Sequence, residues 1–318
     1  MKKVIVTGAT GFLGKHVVGE LEKRNYEVIP LNSKNCDMTD FSKLNKFIFQ
    51  NRPDYIVHLA ALCGGIGMNR KFPADFNIVN TMMGINLFEA CKEYKKIFDD
   101  SPKIVCLGSV CAYPKYTPVP FKEDYLWNGY PEETNAPYGL AKRMLLVQLN
   151  AYKEQYGLKG CYLLPANLYG KHDHFDLEDS HVIPALIRKF HEAMLDKKRE
   201  VLLWGSGSAS REFLYVKDAA FGIINAMEKY DGSLPINLGS SKEIKILDLA
   251  YLIKDKVGFE GKIVWDYNMP DGQPKRCLDT SRAKELFDFQ ARWSFEDGIE
   301  ETIKWYIENR EDILRGLK

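Results

Sequence analysis

An excess of either charge is missing from this sequence: 44 Lys and Arg stand against 43 Asp and Glu, leaving +1 at pH 7. So weak a field favours neither nucleic acid nor an anionic membrane surface as a partner, neither of which is expected, and an anionic ligand must be held by a local site. No apolar run reaches the roughly 18 residues of a transmembrane helix. Met1-Lys2-Lys3 leads straight into the strand-like Val4-Ile5-Val6 rather than into a secretory leader, so the chain is expected to be cytoplasmic. Cysteines at metal or redox spacing are absent too. The seven, at positions 36, 63, 91, 106, 111, 161 and 277, are odd in number and contain no C-x-x-C pair, which predicts reduced thiols and no metal centre. Neither an internal repeat nor a low-complexity linker occurs, so a domain boundary must be a crossing of the chain rather than a tether.

What is present is apolar sequence in a regular order. At 318 residues the chain is two domains or one with a large elaboration, and a hydrophobic content of 45% is ample for a core. Strand and helix patterns alternate: a strand at Val4 to Val6, a helix at Phe12 to Lys23, a strand at Tyr26 to Leu31, a helix at Phe41 to Gln50 and a strand at Tyr55 to Ala60. A long helix at Asn77 to Tyr94, a strand at Lys103 to Leu107, a helix at Pro137 to Tyr156 and a strand at Gly160 to Leu164 continue the series. Such alternation implies parallel strands joined by right-handed crossovers, a doubly wound Rossmann sheet. Beyond Pro165 the pattern loosens into a helix at Val182 to Leu195, a short strand at Val201 to Leu203 and a packing helix at Phe295 to Glu308. The expectation is an α/β protein with a dinucleotide-binding domain over 1–165, joined by part of 210–240, and a smaller mixed substrate-binding domain over 166–318, with an interleaved boundary.

Ligands of open α/β sheets lie beyond the carboxyl ends of the strands. The first strand runs into Gly8-Ala9-Thr10-Gly11-Phe12-Leu13-Gly14, where glycines permit a tight turn and close approach to a pyrophosphate held on free helix amides. The second strand ends in Leu31-Asn32-Ser33-Lys34, without the acid that would clamp a ribose diol. Lys34 or Ser33 can instead meet a 2′-phosphate, favouring NADP(H); Asp37 lies close enough in sequence to leave NAD(H) open. The fourth strand ends in Gly108-Ser109-Val110-Cys111, and if the chain stays extended there, the period of two aims the Ser109 hydroxyl and the Cys111 thiol into one pocket. Tyr138 and Lys142 stand at i and i+4 on one helix face, where the lysine charge lowers the phenol pKa and desolvation raises it.

Together the glycine loop, Ser109 and the Tyr138/Lys142 pair resemble the short-chain dehydrogenase/reductase superfamily, in its extended branch. Further stretches narrow the resemblance to the GDP-L-fucose synthase family: Leu62-Cys63-Gly64-Gly65-Ile66, Pro73-Ala74-Asp75-Phe76, Asn167-Leu168-Tyr169-Gly170, Ser180-His181-Val182-Ile183-Pro184, Trp204-Gly205-Ser206-Gly207 and Arg211-Glu212-Phe213. The resemblance implies epimerisation at C3 and C5 of a GDP-4-keto-6-deoxy sugar and NADPH-dependent reduction at C4, in a homodimer. Tyr138 is then the proton donor to the carbonyl, Ser109 its second hydrogen-bond partner, Lys142 the ribose ligand, and Cys111 and His181 the two proton-transfer groups. The implied cofactor set adds Leu59, Ala60 and Ala61 after the third strand and Pro165, Asn167, Leu168 and His181 beyond the fifth. The substrate set adds Asn167, Arg188 with its neighbour Lys189, Trp204, Arg211, Asp271 and Arg276. Thr10 departs from the basic residue that bacterial members often carry in the glycine loop. Related activities left open are reduction of other GDP-keto sugars, deoxyheptoses or dideoxyhexoses, and an NAD-dependent nucleotide-sugar 4-epimerase.

Overall fold

The computed structural model describes every residue except 178, 270–272 and 318, with residue 66 described by its backbone alone. Its largest sheet has six parallel strands in the order β2-β1-β3-β4-β5-β9, formed by β1 (Lys3–Thr7), β2 (Glu27–Leu31), β3 (Tyr55–His58), β4 (Lys103–Leu107), β5 (Lys159–Pro165) and β9 (Pro235–Leu238). The inner strands are apolar on both faces because both are covered: Val4, Ile5, Val6, Ile104, Val105 and Cys106 are all buried. Helices α1 (Phe12–Lys23) and α7 (Val216–Lys229) share one face, where Arg24 donates to Asn225 at 3.1 Å and to Glu228 at 2.9 Å. The opposite face carries α2 (Phe41–Asn51), α4 (Pro73–Phe98) and α5 (Ala136–Tyr156), with a short helix α3 (Ile66–Lys71) before α4. Chain direction across the sheet reverses between β1 and β3, which opens a crevice at their carboxyl ends.

The helix α4 exceeds the 77–94 expected from periodicity at both ends. Pro73 starts it at a position where a missing N–H is harmless, and Asp99 ends it in the left-handed conformation. The last helix, α10 (Phe295–Gly316), also continues past Glu308.

The remaining strands build two small sheets. Strand β8 (Ser210–Tyr215) pairs with β6 (Asn167–Tyr169) and β12 (Lys275–Arg276) in parallel and with β10 (Glu243–Lys245) antiparallel, while β7 (Glu200–Trp204) pairs with β11 (Lys262–Asp266). Helices α6 (Val182–Leu195) and α8 (Ile246–Val257) pack together over a second buried cluster that includes Ile187, Phe190, Leu249, Ile253, Ile299 and Tyr306. A short helix α9 (Ser281–Phe287) returns to the first cluster through Ala283 and Phe287. Among the described residues no helix is long and apolar enough to cross a membrane.

Candidate active site

The turn after β1 is built to bring backbone close to backbone. Gly8 takes φ +67°, and a Cβ on Gly14 would stand 2.1 Å from the carbonyl oxygen of Gly8, so neither position accepts a side chain. Gly11 caps α1 without any side-chain acceptor on its amides, and the first-turn residues Phe12 and Leu13 pack on the second cluster. The amides at this helix start are therefore free for an anion, with Thr10 exposed beside them. Thr7 ties the neighbouring strand end down: its buried hydroxyl accepts from the amides of Leu59 at 3.1 Å and Ala60 at 3.0 Å. Leu59, Ala60 and Ala61 thus line the crevice beside the glycines.

After β2 the Asn32 side chain accepts from the amides of Lys34 at 2.9 Å and Asn35 at 3.3 Å, closing a turn that leaves Ser33 and Lys34 exposed. Asp37 is turned onto Thr39, accepting from its amide at 2.9 Å and its hydroxyl at 2.7 Å, and these bonds hold its carboxyl below the usual range. Lys34 forms no ion pair among the described residues, so the basic group is the more available of the two.

Strand β4 delivers Ser109 and Cys111, by a different backbone path from the extended one expected. Ser109 itself is extended, but Val110–Ala112 turn into a 3-10 helix, and the Ser109 hydroxyl accepts from the Cys111 amide at 3.1 Å. It is this cap, not a strand period, that sets the Ser109 hydroxyl against the Cys111 backbone. Helix α5 fixes the turn. The buried guanidinium of Arg143 donates to the carbonyl of Ala112 at 2.6 Å and of Gly129 at 2.9 Å. A Cβ on Gly139 would stand 2.5 Å from the Cys111 carbonyl, so the glycine is what lets helix and turn touch. Arg143 and Gly139 were not among the expected site residues, although Gly139 sits inside the Tyr138-Gly139 motif.

Tyr138 and Lys142 share a face of α5 as expected, with the Lys142 ammonium 5.7 Å from the Tyr138 ring centre. Lys142 is almost wholly buried and donates to the Leu107 carbonyl at 3.0 Å; burial lowers its pKa to about 8. Burial, with the thiols of Cys63 and Cys111 nearby, pushes the Tyr138 phenol well above its usual value. The expected contest between desolvation and the lysine charge is thus won by desolvation, and the phenol keeps its proton at neutral pH.

The opposite wall comes from the chain beyond β5. Pro165 is buried, Leu168 packs on the first cluster, and Asn167 is anchored by donation to the Glu212 carbonyl at 3.1 Å. His181 is the N-cap of α6 yet makes no capping bond, so its ring is not used by the helix. Burial and the neighbouring His174 hold the imidazole below its ordinary pKa, although the residue as a whole keeps part of its surface exposed. The segment is joined to the loop after β3 through the Gly65 amide, which donates to the Asp179 carbonyl at 2.9 Å.

Of the expected substrate ligands, Arg188 is diverted inward: it pairs with Glu192 at 2.9 Å and donates to the Phe175 carbonyl at 2.9 Å. Its neighbour Lys189 lies over the ring of Trp204 at 5.8 Å, and Trp204 is 66% exposed. The lysine, not the arginine, therefore lies beside the exposed tryptophan, half-buried and with its pKa lowered by burial, because adjacent helix residues point about 100° apart. Arg211 donates to the carbonyls of Ser210 at 2.7 Å and Gln273 at 2.6 Å. Arg276 pairs in register with Arg211 across β12 and β8, and one of its amino groups lies 3.8 Å from the Cys111 sulfur. Asp271 lies outside the described residues.

Compared with known proteins, residues 4–239 match the model of the NAD dependent epimerase/dehydratase family. The chain is 39% identical over 308 residues to the probable GDP-L-fucose synthase 1 of Oryza sativa subsp. japonica, covering 96% of this chain and 92% of that one. With the GDP-L-fucose synthase of Escherichia coli (strain K12) the identity is 36% over 325 aligned positions and 99% of each chain. A solved GDP-L-fucose synthetase from Naegleria fowleri bound to NADP superposes with a TM-score of 0.87 at 32% identity, covering 98% of this chain and 95% of that one.

Proposed function

Because the chain belongs to the NAD dependent epimerase/dehydratase family, and within it to the GDP-L-fucose synthases, we propose that it epimerises C3 and C5 of GDP-4-keto-6-deoxymannose and reduces C4 with NADPH, yielding GDP-L-fucose. The observation that carries this reading is the Cys111 turn packed on α5 at Gly139, which leaves the thiol near the Tyr138 phenol: a plain carbonyl reductase needs no thiol there, whereas proton removal beside the carbonyl needs one group at carbon and others at oxygen. In epimerisation, Tyr138 and Ser109 donate to the C4 oxygen and hold the negative charge that grows on it. Cys111 takes the carbon-bound proton; the C–H bond breaks, S–H forms, and the electron pair moves onto the oxygen. His181, with no helix bond to make, returns a proton from the other face, and its lowered pKa makes the imidazolium a readier donor. In reduction, the protonated Tyr138 gives its proton to the oxygen at C4.

The residues at the crevice fit a bound dinucleotide. The turn through Gly8, Gly11 and Gly14 is too tight for a Cβ at Gly14, and the α1 amides it presents are uncapped. Ser33 and Lys34 would hold the 2′-phosphate, and Lys142 the nicotinamide ribose. When bound, NADPH supplies the hydride. A homodimer is part of the same reading: Ile78, Met82 and Ile85 on α4 and Met144 and Val147 on α5 form exposed apolar stripes on two helices that pack closely, where Gly84 meets Leu145 and Gln148. So is a cytoplasmic location, which suits seven unpaired thiols.

The test is to give the purified protein GDP-4-keto-6-deoxymannose with NADPH or NADH in deuterated water. Faster NADPH oxidation, with GDP-L-fucose labelled at C3 and C5, is the expected result. A product that keeps its C3 and C5 configuration, or turnover only with a GDP-keto-heptose, overturns the reading.

A further inference from the structure

Arg276 is tied to the reacting thiol rather than to open solvent. Its guanidinium lies 3.8 Å from Cys111 Sγ through one amino group, and its Nε donates to the side-chain oxygen of Gln273. Gln273 in turn donates to the carbonyl of Lys115, four residues beyond Cys111, and accepts from Arg211 through its own carbonyl. A single glutamine thus ties Arg276 to both the Cys111 loop and strand β8. The parallel pairing of β12 with β8 fixes the backbone on which it sits. An arginine meant for a diphosphate at the surface needs no contact with the sulfur, and Lys189 beside the exposed Trp204 is another cation for that role. Among the described residues Tyr138, which burial keeps neutral, also faces Cys111. Arg276 is therefore the one positive group among the described residues with a contact to the sulfur.

We propose that Arg276 is a positioning residue for the epimerisation step, the fixed cation that holds Cys111 as the thiolate that takes the proton, rather than a ligand of the substrate diphosphate. This rests on the epimerase-reductase reading above. The thiol of the resting protein gives its proton to solvent, the sulfur anion accepts from the guanidinium, and it then receives the carbon proton as the C–H bond breaks and charge passes to the oxygen held by Tyr138 and Ser109. Arg276 stays charged throughout and exchanges no proton, as an arginine must. The second wall of the site can use a neutral or protonated His181 without competing for this role, because the cation is permanent.

The experiment uses the full chain with NADPH bound and follows iodoacetamide labelling of the Cys111 and Cys63 peptides separately by mass, in wild type, Arg276→Gln and Arg276→Lys. Thiolate reactivity is what such labelling reads, so Arg276→Gln is expected to slow Cys111 at pH 7 by about tenfold, with Arg276→Lys recovering most of the rate. Cys63, which is exposed where Cys111 is half-buried, is expected to label equally in all three and so reports an intact fold. In parallel, hydrogen exchange at C3 and C5 is expected to fall with kcat while KM for the GDP-sugar holds. Unchanged Cys111 labelling together with a raised KM makes Arg276 a diphosphate ligand and overturns the proposal. If wild type fails to turn over the sugar at all, the function is wrong, but the labelling still decides whether Arg276 governs the thiol.

Discussion

Lys142 donates to the carbonyl of Leu107, the last residue of β4, at 3.0 Å, so the ammonium of one helix is anchored to the strand that delivers Ser109. This bond and the 5.7 Å approach to Tyr138 hold the two halves of the carbonyl site in one frame. Burial has lowered Lys142 to about 8, which means the ammonium is charged below that pH and neutral above it. The expected pH profile of kcat/KM for reduction, which reports the free enzyme, is level from pH 6 to 7 and falls on the alkaline side of about 8. Tyr138→Phe, which removes the acid, is expected to lower kcat by about 10²–10⁴-fold. Lys142→Met should also abolish the alkaline fall, and a profile unchanged in that variant would assign the titration elsewhere.

Gly139 leaves no room between α5 and the 3-10 turn, since a Cβ there would stand 2.5 Å from the Cys111 carbonyl. Gly139→Ala must push the 3-10 turn off α5 and with it both Ser109 and Cys111. A displacement of about 1 Å in a reacting group can cost about 10²-fold in rate, so kcat is expected to fall by that order while the melting temperature moves by a few degrees at most. Full activity in this variant would mean that the turn is not held by the helix.

How much of this was legible in the sequence depends on how local its cause is. The glycine loop and the Tyr138/Lys142 pair follow from spacing along one turn and one helix, and the doubly wound sheet follows from alternation. The path after Ser109 does not, because it is decided by Arg143 and Gly139 about thirty residues on, reaching back to Ala112 and Cys111. Spacing alone leaves the Tyr138 phenol in a contest between desolvation and the lysine charge, and burial decides it. Arg188 and Lys189 are indistinguishable as neighbours on a helix until Glu192 and the Phe175 carbonyl claim the arginine.

That division between neighbours can be measured. Arg188→Ala removes an internal pair and a buried carbonyl partner, so it is expected to lower the melting temperature with KM for the GDP-sugar near wild type. Lys189→Ala leaves the fold alone and is expected to raise that KM by about tenfold, the lower end of what a hydrogen bond to a charged group contributes. Equal KM effects from both would return the arginine to the substrate side.

The apolar stripes on α4 and α5 predict self-association through those helices. Ile85→Glu sets a charge at the centre of the proposed helix contact and is expected to halve the mass in light scattering, whereas Leu202→Glu, on the exposed side of β7, should leave it unchanged. A monomeric wild type, or a dimer indifferent to Ile85→Glu, would remove the stripe from the interface.

Asp173 gives a pH prediction whose sign can be worked out. Its side chain is 8% exposed, one oxygen accepts from the His174 amide at 2.8 Å, and the other is buried with no partner. Burial raises its pKa from 3.8 to about 8, against the smaller pull of the amide. An acid raised in the folded state binds its proton more tightly when folded. Its contribution to stability is therefore full below the unfolded value near 4 and is lost as pH rises to about 8. Asp173→Asn preserves the acceptor for the His174 amide and cannot ionise, so it escapes that loss. Thermal melts at pH 5 and pH 8 should accordingly show the variant gaining several degrees on wild type at the higher pH. Parallel pH dependence in the two proteins would mean that the carboxyl finds water or a cation in solution and is not held as a neutral acid.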